Sequence, residues 1–192
     1  ARGIIRAAGA NLEVAKSTFA GNEAVLGGAI NVWSNGENTV KITDSTFTGN
    51  ATKSHGGAVY ITGSEVKTTI ADSTFSKNTS GEQGGALQLA GAGETTITNT
   101  TFSENAAGTF GGAICVQDGA DLALTNVVFD GNTAANGGAV DTFNAGDVKF
   151  TDTTFTNNQA GGWGGALRIN GGNVTIAVTE GNSLVYEGNR AG

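Results

Sequence analysis

The sequence predicts an all-β fold, a right-handed parallel β-helix of about seven coils of 26–29 residues. Two recurring tetrapeptides and one periodicity predict it. The first tetrapeptide, Phe-x-x-Asn, appears at 19–22, 47–50, 75–78, 102–105, 129–132 and 155–158, with a degenerate Tyr copy at 186–189. The second, Gly-Gly-Ala-aliphatic, appears at 27–30, 56–59, 84–87, 111–114, 137–140 and 164–167. Successive Phe residues lie 28, 28, 27, 27 and 26 positions apart. Self-similarity of this length marks a repeat architecture, in which each unit buries its apolar side only by stacking on its neighbours.

Within a unit the apolar period is 2, as in a strand. After Gly-Gly, the pairs Ile30/Val32, Val59/Ile61, Leu87/Leu89, Ile114/Val116 and Leu167/Ile169 alternate with variable residues. Before each Phe, Val40/Ile42, Thr68/Ile70, Thr95/Ile97, Leu122/Leu124 and Val148/Phe150 alternate in the same way. The Phe-x-x-Asn segment makes a third, short arc. Stacked parallel strands lie about 4.8 Å apart, so seven coils span roughly 34 Å. Crossovers between parallel strands are almost always right-handed, which fixes the expected hand.

Taken in order, residues 1–26 form an imperfect first unit, with Gly3-Ile4-Ile5 where later units have Gly-Gly-Ala-aliphatic and with Leu12 and Val14 leading into Phe19. Later units start at each Gly-Gly pair, a bend where a Cβ would be costly. Phe19, Phe47, Phe75, Phe102, Phe129 and Phe155 should stack as an internal ladder that ends in Tyr186. Asn22, Asn50, Asn78, Asn105, Asn132 and Asn158 should form a second ladder at a bend, because Asn tolerates left-handed backbone and its amide can satisfy backbone groups. Three positions before each Phe stand Lys16, Asp44, Asp72, Asn99, Asn126 and Asp152, a turn row. The last unit departs from the pattern, with Thr179-Glu180-Gly181-Asn182 inserted before Tyr186. No composition shift divides the chain, so residues 1–192 read as one repeat domain. With Ala1 first and no Met, it reads as a processed product or a fragment of a larger protein.

Composition narrows function. Gly is 32 of 192 residues, Pro is absent and the net charge is −7. Missing Pro suits a backbone whose N–H groups are needed in ladders. The negative charge disfavours nucleic acid and anionic membranes as partners, and no apolar run is long enough to span a membrane. One cysteine, Cys115, cannot form an internal disulfide.

The paired Phe-x-x-Asn and Gly-Gly-Ala-aliphatic tetrapeptides resemble the repeat of the polymorphic outer-membrane protein family, from residue 19 to residue 189. The resemblance implies a surface-exposed bacterial passenger segment of the autotransporter type, located extracellularly or on the cell surface and acting in adhesion. Its partner would be a host-cell receptor or glycan, with end-to-end association of coils as a second class of contact.

Function should lie where the repeats differ. The row after each aliphatic runs Asn31, Tyr60, Gln88, Cys115, Asp141, Arg168 and should face outward. Two residues on, the row is Trp33, Thr62, Ala90, Gln117, Phe143, Asn170; just before Gly-Gly it is Leu26, His55, Gln83, Phe110, Asn136, Trp163. These rows put aromatics and amides on one strand face, a mixture suited to glycan or protein binding. The candidate binding residues are Trp33, Tyr60, Phe110, Phe143, Trp163 and Arg168. Asp44 and Asp72 occupy equivalent positions in adjacent coils and could bind a cation, but solvated turn residues explain them as well. His55 and Cys115 lie two coils apart, so no triad or zinc site assembles, and no catalytic residue, metal or cofactor is expected. An adhesive β-helix is the leading reading. A stalk or self-stacking fibre segment comes second, and a polysaccharide lyase or hydrolase third.

Overall fold

The computed structural model describes residues 3–192, and there the chain forms four parallel sheets of seven strands each. The first sheet runs from Ile5–Ala8 through Ile30–Trp33, Val59–Gly63, Leu87–Ala92, Ile114–Gln117 and Val140–Phe143 to Leu167–Asn170. The second holds the strands before each Phe, from Leu12–Ala15 to Asn173–Ala177; the third holds the Phe strands, from Thr18–Ala20 to Val185–Glu187. A fourth follows each Asn, from Glu23–Leu26 to Arg190–Ala191. Each coil therefore has four strands, where the sequence pattern suggested three arcs.

The extra corner has a local cause. The residue before each ladder Asn, namely Gly21, Gly49, Lys77, Glu104, Gly131, Asn157 and Gly188, has positive φ. That left-handed step divides the expected third arc into two short strands. It also corrects the role expected for the Asn row, since the left-handed residue stands one position earlier than the Asn. The turn row three before each Phe is left-handed as well, from Lys16 (φ 47°) to Asp152 (φ 50°).

Repeat positions pair in register: Ile42, Ile70, Ile97 and Leu124 align in the second sheet, and the Phe residues align in the third. Phe47, Phe75, Phe102, Phe129 and Phe155 are fully buried. Successive rings from Phe19 to Tyr186 lie 4.6–5.3 Å apart, centre to centre, within 19° of parallel. Each buried Phe stabilises the fold by roughly 1.5–3 kcal/mol.

The Gly-Gly bend admits no side chain. Gly56 has φ +64°, and a Cβ on Gly57 would lie 1.9 Å from the carbonyl oxygen of Gly85 in the next coil. The coils touch backbone to backbone there, which sets where the first sheet begins and what its outward row presents.

Candidate functional site

The outward row of the first sheet pairs coil to coil as Asn31, Tyr60, Gln88, Cys115, Asp141 and Arg168. It was expected to face outward. Facing outward does not leave it open to solvent, since Asn31, Gln88, Cys115 and Asp141 are at most 2% exposed. The row before Gly-Gly runs beside it, joined by single bridges from His55 through Gln83 and Phe110 to Asn136, and its side chains lean over the strand. His55 stacks with Tyr60, their ring centres 6.3 Å apart. Phe110 lies against Arg168, whose Cζ is 4.6 Å from the ring centre.

Arg168 is therefore engaged rather than free. Its Nε donates to Asp141 Oδ2 at 2.6 Å and its Nη2 to Oδ1 at 3.2 Å. Burial pushes the Asp141 carboxyl up to about 6, against the bond and charge of Arg168. Burial, and next the Asp141 charge, push the Cys115 thiol up, so the sulfur stays protonated. The Gln88 amide opposes that shift, but as a contact outside hydrogen-bonding geometry.

Several polar atoms on this face are buried without a partner among the described residues. They are Oε1 and Nε2 of Gln88, Oε1 of Gln83 and Nδ1 of His55. Its Nε2 places His55 3.3 Å from Glu82 Oε2. Native proteins pair nearly all such atoms, so each one asks for an explanation.

Three of the candidate aromatics are open to solvent: Trp33 at 45%, Phe143 at 43% and Trp163 at 70%. They do not form one patch. Trp33 and Phe143 share a register row but stand four coils apart, roughly 19 Å at the usual strand spacing. Trp163 stands beside Gly161 and Gly162, and its backbone N–H donates to Asn136 Oδ1 at 3.1 Å. Phe110 and Phe143 instead flank a cleft of about 290 Å³, lined also by Gln83, Cys115, Gln117 and Asp118.

A family model for the right handed beta helix region matches residues 28–191. The chain belongs to the right-handed β-helix family. The match supplies the hand that parallel crossovers predict. No curated protein and no solved structure matches the chain.

Elsewhere on this β-helix the turn row is hydrogen-bonded from coil to coil. Asp72 Oδ1 accepts from Asn99 Nδ2 at 3.1 Å, and Asn99 Oδ1 accepts from Asn126 Nδ2 at 2.9 Å. Asp72 thus extends an amide chain that continues through Asn99 to Asn126. Among the described residues, no three His, Cys, Asp or Glu side chains converge to hold a metal, and no helix is long and apolar enough to cross a membrane. Gln83, Gln88 and Asp118 were missed as site residues. Their signal was faint: two glutamines beside Gly-Gly in one coil, on rows that otherwise change type at every step.

Proposed function

We propose that this β-helix is an adhesin-like segment of a surface-exposed or secreted bacterial protein, binding host cells through the outward side of its first sheet. The observation that carries the reading is on that face: buried amide and imidazole atoms without partners lie beside open aromatics. The tetrapeptide resemblance supports an autotransporter-type origin. Binding of the soluble chain to host cells and immobilised glycans tests the reading, with particle size followed by light scattering. Saturable binding by single particles is the expected result. No binding, with growth into rods, favours the stalk or fibre reading, for which the regularity of sheets two to four speaks. Release of new sugar ends from a bound glycan favours the enzyme reading.

A further inference from the structure

We propose that the cleft between Phe110 and Phe143 is a subsite for one neutral, hexose-sized sugar residue of a glycan. The inference rests on the adhesive reading and narrows it to one place and one chemistry. Size comes first. At about 290 Å³ the cleft lies at the lower edge of the usual range for small-molecule pockets, enough for a single ring.

The walls come second. Phe143 is 43% exposed, and Phe110 has one face covered by the Arg168 guanidinium, which holds the ring in place. Aromatic walls supply contact area for the C–H face of a sugar ring. The polar lining is rich in acceptors. Gln83 Oε1 is buried and unpartnered, Asp118 contributes a carboxylate and Gln117 an amide oxygen. Such a lining suits a ligand with many hydroxyl donors.

Charge excludes acidic sugars. Asp118 lies in the lining, the chain carries −7, and the nearby Arg168 is spent on Asp141. A protein partner fits less well. A stable protein interface covers about 800 Å² on each side, whereas Trp33 and Phe143 are separated by Thr62, Ala90 and Gln117 in their row.

The test titrates the chain with methyl glycosides of neutral hexoses, N-acetylhexosamines and uronic acids by ligand-observed NMR, with host-cell binding measured on the same variants. At least one neutral glycoside should bind saturably and the uronic acids should not. Phe143→Ala should weaken it by about tenfold, and Gln83→Ala should also weaken it. Lys67→Ala, an exposed change on the second sheet, should leave glycoside binding unchanged. Phe143 is open to solvent, so its variant should melt as the parent does. Equal glycoside binding by Phe143→Ala, preference for uronic acids, or no glycoside binding overturns the subsite. If cells are still bound in those cases, the adhesive reading stands without it, and cell binding blocked by a soluble protein fraction assigns the face to a protein partner. A chain that binds neither cells nor glycosides overturns both.

Discussion

The asparagine ladder and the outward row of the first sheet both bury amides, but they treat them in opposite ways. Asn50, Asn78, Asn105, Asn132 and Asn158 are fully buried, and every one is bonded identically. The side chain of Asn105, for example, accepts from the N–H and Nδ2 of Asn78 and donates to Phe75 O and Asn132 Oδ1, all at 2.9–3.0 Å. Gln88 is buried as deeply and bonds nothing among the described residues. The difference follows from repetition. An amide that meets its own copy in the next coil finds a donor for its acceptor and an acceptor for its donor. Where the row changes type at each coil, that self-matching is lost. Repeated amides hold this molecule together, whereas the unrepeated Gln88 keeps unmet bonds.

The largest effect should come from breaking the ladder. Asn105→Ala leaves the Asn78 N–H and one Asn78 Nδ2 hydrogen without partners. Buried groups left unpaired cost about 1–3 kcal/mol each, so the variant should lose about 2–6 kcal/mol in denaturant unfolding. A loss under 1 kcal/mol would mean that the ladder is ornamental. Phe102→Ala, in the middle of the ring stack, should cost about 3–5 kcal/mol by cavity formation. A neutral result would show that the neighbouring rings close the gap.

These two ladders were legible in the sequence because they recur in phase. Phe and Asn at fixed offsets gave the coil, its period and its interior. The corner between them was less legible, since Lys77 and Glu104 stand where Gly or Asn would advertise a left-handed residue. The site was hardest to read. Strand alternation places Gln88, Cys115 and Asp141 outward, and they do point away from the apolar interior. What alternation cannot report is that Phe110 and its neighbours before Gly-Gly fold over that row. Arg168 shows the consequence: it reads as a free binding cation, yet it reaches across Asp141 to Phe110, two coils away.

Asp141 offers a pH test of the same contrast. Its carboxyl, ordinarily near 3.8, is raised to about 6 by burial. Between these values the folded chain holds the proton more tightly than the unfolded chain. Stability from this group is therefore highest in acid and falls as pH rises, with the loss complete above about pH 6. At about 1.4 kcal/mol per pH unit the window is worth at most about 3 kcal/mol. Asp152 acts in the opposite direction, its carboxyl lowered by bonds from Thr179, so the parent curve mixes both. The difference between the parent and Asp141→Asn isolates one group. The variant should gain relative to the parent as pH rises from about 4 to about 7. A constant difference would mean that Arg168 holds Asp141 ionised throughout.

The smallest change in stability carries the sharpest contrast. Replacing a bonded amide by an apolar side chain costs its partners, but replacing an orphaned one costs nothing of the kind. Gln88→Leu removes two buried atoms without partners and should stabilise the chain by about 1–2 kcal/mol, raising the melting temperature by about 2–8 °C for a domain of this size. Asn105→Leu, the same chemical change in the ladder, should destabilise it strongly. The gain at Gln88 is the test, since no lost hydrogen-bond partner offsets it. A variant that loses stability would show that the Gln88 amide is satisfied in solution. The contrast between repeated and unrepeated rows would then be one of packing alone.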